Sequence, residues 1–121
     1  MAYDDMEVIM YQILKYLYEC MKCGVTPREI DFNHGARLFE ADIPEAYWKQ
    51  VMEELQDHNY IKGLIVGPMT KDGIIMDASR VRITLEGVQF LKENSGMQRA
   101  ADKLGRAFEI LLAGIVQALI R

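Results

Sequence analysis

The chain has 121 residues, of which 50% are hydrophobic and 26% are charged, and its formal net charge at pH 7 is −4. This length suits one domain with a single core and one appended element. No apolar run approaches the roughly 20 residues that span a bilayer, and acids stand near the N-terminus where a signal peptide would carry lysine or arginine. The composition therefore predicts a cytoplasmic protein and argues against a membrane partner.

The charges are distributed unevenly along the chain. Residues 1–60 contain 12 acidic and 5 basic residues, whereas residues 61–121 contain 6 acidic and 9 basic ones. Blocks of opposite sign favour the docking of two copies or steer a charged partner, but they also arise when two solvated faces merely differ in sign.

The first predicted element is an amphipathic helix over residues 4–23, because apolar side chains recur there at steps of three and four residues. Gly24 ends it, since glycine enters the left-handed conformation without a Cβ penalty. Residues 33–40 predict a short second helix with Leu38 and Phe39 directed inward.

A third helix is predicted to begin after Asp42, which can cap it while Glu45 reaches back, and Pro44 suits its first turn. It runs to about Asn59, a residue type that tolerates the left-handed end of a helix. The buried stripe of this helix consists of Trp48, Val51, Met52 and Leu55.

Strand and turn patterns follow the third helix. Residues 60–66 predict a strand, residues 67–79 a hairpin loop, and residues 80–83 a second strand that alternates arginine with apolar residues. At Thr84 the period becomes helical, and Gly87 within that helix suggests a close backbone approach. This order predicts a mainly α fold with a small β-hairpin (α+β), namely a winged helix-turn-helix whose hairpin loop is the wing.

Residues 97–121 predict a long C-terminal helix with a heptad seam, and a second side becomes apolar from Ile110 onward. Leaving such side chains in water would cost roughly 1.5–3 kcal/mol each, so some surface must cover them. We expect that surface to be another copy of the chain; the helix's own domain, a different protein and a membrane are the alternatives. The predicted organisation is a winged-helix domain over residues 1–94 and a self-associating helix over residues 95–121. The residues assigned to self-association are Met97, Ala101, Leu104, Phe108, Leu111, Leu112, Ile115 and Leu119.

Several motifs resemble the YjcQ family, small winged-helix proteins of Gram-positive bacteria and their phages. The resemblance covers residues 4–94 and implies the fold and a regulatory or mobile-element context, without catalytic residues. Asn59 stands where the family pattern has glycine, and both residues reach the same backbone conformation. The matching positions are Trp48, Met52, Leu55, Asn59-Tyr60-Ile61, Gly63, Ile83-Thr84 and Gly87.

Nucleic-acid binding is a second candidate function, because the third helix of a DNA-binding winged helix lies in the major groove. Residues 44–60, however, hold four acids and one base, and affinity for DNA comes largely from cations against phosphate. The acidic third helix therefore argues against conventional binding of this helix in the major groove. The candidate contacts are Arg37, Lys49, Gln50, Lys71, Arg80 and Arg82.

The predicted wing carries three consecutive apolar residues, Ile74, Ile75 and Met76. An exposed apolar patch of this kind indicates a protein contact or packing on the last helix of the same chain.

Catalytic and metal-binding signatures are weak. Cys20-x-x-Cys23 would need two more zinc ligands, and the two histidines, His34 and His58, are isolated in the sequence. No nucleophile–base set or phosphate-cradling glycine loop stands out. We therefore expect a non-enzymatic protein without cofactor or metal, a self-associating module that binds another protein, with a DNA-binding transcriptional regulator as the alternative.

Overall fold

The computed structural model describes residues 5–39, 41–71 and 73–120. The architecture is α+β and mainly α, as predicted. In chain order the elements are helix α1 (Met6–Cys23), a 3-10 turn (Glu29–Asp31), helix α2 (Glu45–Asp57), strands β1 (Ile61–Lys62), β2 (Ile65–Thr70), β3 (Gly73–Asp77) and β4 (Arg82–Ile83), and helices α3 (Leu85–Glu93) and α4 (Ser95–Leu119).

Helix α1 lies at the centre of the core and contacts α2, β4, α3 and α4. Its apolar stripe is buried, as its periodicity predicts, and Tyr16 is the largest fully buried side chain. The helix ends at Gly24 with φ 70°, and the Gly24 amide donates to the Met21 carbonyl at 3.2 Å. The predicted glycine stop is therefore confirmed.

The predicted second helix over 33–40 is wrong for its described residues, 33–39, which form turns. The Asn33 side chain accepts a hydrogen bond from the Gly35 amide at 3.0 Å, a local bond that competes with helix formation. Leu38 and Phe39 are nevertheless buried, as expected. Gln12 of α1 donates to the Leu38 carbonyl at 3.0 Å, so contacts with a distant element hold this segment.

Helix α2 buries Trp48, Val51, Met52 and Leu55, the stripe that its sequence predicts. Its N-cap position is Pro44, and no side chain caps it, so the predicted capping role of Asp42 is wrong. Beyond the helix, Asn59 adopts the left-handed conformation with φ 62°, which confirms the predicted helix end.

The structure contains two small antiparallel ladders where the sequence predicts a strand, a loop and a second strand. In the first, Ile61 of β1 pairs with Ile83 of β4. Gly63, at φ 95°, separates β1 from β2, so the predicted strand over 60–66 is broken in two. In the second, β2 and β3 form a hairpin with an irregularity between Val66 and Met69. Much of the segment predicted as a loop is therefore strand.

The change from strand to helix at Thr84 is confirmed. The Thr84 hydroxyl oxygen accepts a hydrogen bond from the Gly87 amide at 3.0 Å and so caps α3. A Cβ built on Gly87 would overlap the carbonyl oxygen of Tyr60, which confirms the close backbone approach.

Helix α4 packs along α1 of its own chain and shares one core with the rest of the molecule. An apolar stripe shows that a helix needs a neighbour but cannot show which one; here much of the seam is buried in the chain's own core, and self-association stays a prediction. The seam is also not one continuous helical face, since the backbone is non-helical at Gly105 (φ 65°, ψ −157°). Of the residues assigned to self-association, Met97, Leu104, Phe108, Leu112 and Ile115 are buried, while Ala101, Leu111 and Leu119 are partly buried.

Candidate functional site

The outward face of α2, the helix expected to read DNA, is acidic. Its predicted contact Lys49 lies 3.0 Å from the Glu45 carboxylate, and this interaction lowers the pKa of Glu45. Gln50 is exposed. Glu53 and Glu54 are half-buried and Asp57 is exposed on the following turns, so this face presents carboxylates, with its single lysine held by one of them.

Gln56, at the end of the same helix, is not available to a ligand. Its amide nitrogen donates to the Leu64 carbonyl at 3.0 Å, and its amide oxygen accepts from the Leu64 amide at 2.9 Å. This pair of bonds ties the turn between β1 and β2 to α2. Gln56 therefore has a structural role.

The two predicted arginines of the second strand lie together in a basic cluster. Arg82 stands opposite Lys62 in the β1–β4 ladder, and Arg80 lies two residues earlier; all three side chains are exposed. Within the described residues, no carboxylate lies within 4 Å of the charged nitrogens of Lys62 or Arg82. Lys62 was not predicted, although its register follows from pairing Ile61 with Ile83.

The other predicted cations lie elsewhere. Lys71 is exposed in the turn between β2 and β3. Arg37 lines a groove of about 530 Å³ between the α1–α2 connection and α4, together with Arg28, which pairs with Asp31 at 2.9 Å. The predicted nucleic-acid contacts therefore do not form one surface. Of these residues only Arg80 and Arg82 lie together, beside Lys62.

An apolar groove of about 300 Å³ adjoins the basic cluster. It lies between the C-terminal end of α1, the segment that follows α1, and β4. The sequence does not predict this groove, because its two walls are far apart in the chain and the periodicity of α1 places Met21 on the buried stripe, whereas Met21 is exposed. Its lining includes Leu17, Met21, Val25, Pro27, Val81 and Ile83, with Arg80 and Arg82 at its border.

The three apolar residues of the predicted wing lie on β3. Met76 is half-buried and packs against the core. The side chains of Ile74 and Ile75 lie outside the described part of the structure.

The outer side of α4 exposes apolar residues, notably Ile110 at 66% exposure and Ile120 at 50%.

Cys20 and Cys23 differ in environment. Cys20 is fully buried and burial raises the pKa of its thiol to about 11, whereas Cys23 is exposed. Both thiols are free. Across the described residues, no three His, Cys, Asp or Glu side chains form a group that would hold a metal ion.

No helix among the described residues combines the length and the apolarity that crossing a bilayer requires.

Comparison with known proteins identifies one family. No curated protein and no solved structure matches the chain. The model of the family described as YjcQ protein matches residues 11–107, which is most of the chain and includes every residue of α2, β1, β4 and α3. The predicted resemblance is thus confirmed, and the chain belongs to the YjcQ family.

Proposed function

We propose that this YjcQ-family protein is a cytoplasmic, non-enzymatic binding module of the winged-helix type whose partner is another protein, in a regulatory or phage-related context. The observation that carries this proposal is the acidic outward face of α2. A helix that enters the major groove must approach phosphates, and DNA carries one negative charge per roughly 1.7 Å of its axis.

The electrostatics of α2 oppose that approach. Glu53, Glu54 and Asp57 would face the phosphates, and Lys49, the only cation of the helix, is already paired with Glu45. A carboxylate can accept a hydrogen bond from a cytosine amino group, but only after phosphate contacts have positioned the helix. A protein surface with cationic or hydrogen-bonding groups is a better match.

Binding of a labelled DNA duplex, measured by fluorescence anisotropy, tests the proposal. We expect the wild-type protein not to bind the duplex at roughly 50 mM salt, where phosphate contacts are strongest. The matched variant Glu53→Gln/Asp57→Asn removes two negative charges from α2 while retaining amides of similar shape. A gain of DNA binding in this variant would support the electrostatic argument.

DNA binding remains the second candidate, and the basic cluster of Lys62, Arg80 and Arg82 favours it. Wild-type binding at roughly 50 mM salt that falls steeply by roughly 200 mM would contradict a module restricted to proteins. Loss of that binding in Arg82→Glu, but not in Arg106→Glu on the exposed side of α4, would place the contact at the cluster.

A further inference from the structure

The groove beside β4 has an apolar lining that the fold leaves partly open. Leu17, Val81 and Ile83 are buried beneath it, whereas Met21 is 52% exposed at the end of α1. Val25 is half-buried in the segment that follows α1. The groove volume of about 300 Å³ lies at the small end of the range for ligand sites and suits one bulky apolar side chain.

Cations border this apolar surface. Arg80 and Arg82 line the groove, and Lys62 faces Arg82 across the β1–β4 ladder. Like charges directly opposite each other in a ladder destabilise it. A carboxylate placed between Lys62 and Arg82 would relieve this repulsion, so the cluster is complementary to a negatively charged partner.

The backbone of β4 offers further contacts on the groove side. The Thr84 amide donates to the Tyr60 carbonyl at 3.0 Å. Because successive residues of a strand direct their amides to opposite sides, the amide and carbonyl of Ile83 point away from β1. Within the described residues β4 pairs with no strand other than β1, so no ladder bonds occupy this edge, the side on which an extended segment would pair.

We infer that this groove binds an extended peptide segment of a protein partner, in which a bulky apolar side chain is flanked by carboxylates; the inference rests on the proposed protein-binding function. The apolar side chain covers Met21 and Val25, and the carboxylates contact Arg82 and Arg80. A nucleic-acid backbone would satisfy the arginines but leave the apolar lining in water, which is why a peptide fits better.

The probe is a short fluorescein-labelled peptide with a central leucine flanked by aspartates, titrated with the full chain. Matched peptides replace the leucine by serine or the aspartates by lysine. We expect the first peptide to bind, and the serine and lysine peptides to bind about tenfold more weakly or not at all. Added salt should weaken binding without abolishing it, because salt screens the exposed ion pairs but not the apolar contact.

Variants of the protein locate the contact. Met21→Ser should weaken binding of the leucine peptide and leave the weak binding of the serine peptide unchanged. Arg82→Glu should weaken binding of the leucine peptide about tenfold; it also gives Lys62 an opposite charge across the ladder, so the fold is retained. The control Arg106→Glu makes the same charge change on the exposed side of α4 and should bind like wild type.

Three results would overturn the inference. Equal binding of the leucine and serine peptides, with competition by duplex DNA, would show a general polyanion site and would contradict the proposed function as well. Absence of binding by any peptide, without DNA binding, would reject the groove alone. Failure of the peptide together with loss of self-association in Arg82→Glu, measured by sedimentation, would assign the groove to a second copy of the chain.

Discussion

Gly87 lies where α3 meets the backbone of Tyr60, and this position tolerates no side chain. A Cβ there would overlap the Tyr60 carbonyl oxygen and crowd the Ile83 side chain. We therefore expect Gly87→Ala to lower the free energy of unfolding by about 1–3 kcal/mol, the usual cost of overpacking, although alanine is the better helix former. The urea midpoint measures the change.

Gly114 in α4 is the matched control for this prediction. It is helical and exposed, and a Cβ built on it has no neighbour within 4 Å. Gly114→Ala should therefore raise the free energy of unfolding by about 0.5–1 kcal/mol, through helix propensity alone. Equal effects of the two substitutions would contradict the close approach at Gly87.

The two thiols should differ in reactivity with an aromatic disulfide reagent at pH 8. Cys23 is exposed and should react at once. Cys20 is fully buried, and burial raises the pKa of its thiol to about 11, so it lacks both access and thiolate character. One equivalent of thiol per chain is expected in native buffer and two in denaturant; two rapid equivalents in native buffer would contradict the buried position.

At the scale of elements, Gln56 joins α2 to the turn that precedes β2. Gln56→Ala removes both hydrogen bonds to the Leu64 backbone. Because a hydrogen bond contributes about 0.5–1.5 kcal/mol net, the free energy of unfolding should fall by about 1–3 kcal/mol in chemical denaturation.

Gln50 provides the control on the same helix. It is exposed, and Gln50→Ala should change the free energy of unfolding by no more than about 0.5 kcal/mol, as surface substitutions usually do. A loss as large as that of Gln56→Ala would show that the effect reflects helix composition and not the two bonds.

The elements that the sequence predicts correctly are those with strong local signals. The stripe of α2, the glycine that ends α1 and the Thr84 cap all depend on residues a few positions apart. The predicted helix over 33–40 failed because, besides the local Asn33 bond, distant residues hold this segment: Trp48 donates to the carbonyl of Phe32, just before it, at 2.7 Å, and Gln12 donates to the carbonyl of Leu38. Such bonds produce no periodic pattern in the sequence.

The candidate site was predictable only in part, for the same reason. Arg80 and Arg82 were identified from strand alternation, but their neighbour Lys62 requires the register of β1 against β4. The groove requires the position of Met21 relative to β4, which depends on how α1 packs in the finished core. Candidate binding residues can be identified from local sequence patterns, whereas the surface that they form together depends on the tertiary structure.

For the whole molecule, the packing of α4 on α1 changes which substitution tests self-association. Phe108 is 1% exposed in the chain's own core, so Phe108→Ala should cost about 3–5 kcal/mol of stability whatever the oligomeric state. Thermal or chemical unfolding at two protein concentrations measures this cost. A mild effect would contradict the packing of α4 on α1.

Self-association itself stays a prediction, and the outer side of α4 is the surface left for it. Ile110 is 66% exposed there, beside the small residue Ala113, which allows close approach of a second helix. We expect the wild type to sediment as a dimer and Ile110→Asp as a folded monomer, whose unfolding midpoint no longer depends on protein concentration. A monomeric wild type would contradict the assembly.

The bend at Gly105 also marks a boundary in what the chain shares with its relatives. The match to the family model ends at residue 107, two residues beyond the bend. The part of α4 before Gly105 belongs to the common scaffold, whereas the part after it is nearly all outside the match. The part beyond the bend still buries Phe108, Leu112 and Val116 in the core, so the bend redirects the helix without releasing it from the rest of the molecule. Divergence among family members beyond the position of Gly105 is therefore expected at the exposed positions of this part, while its buried positions stay apolar.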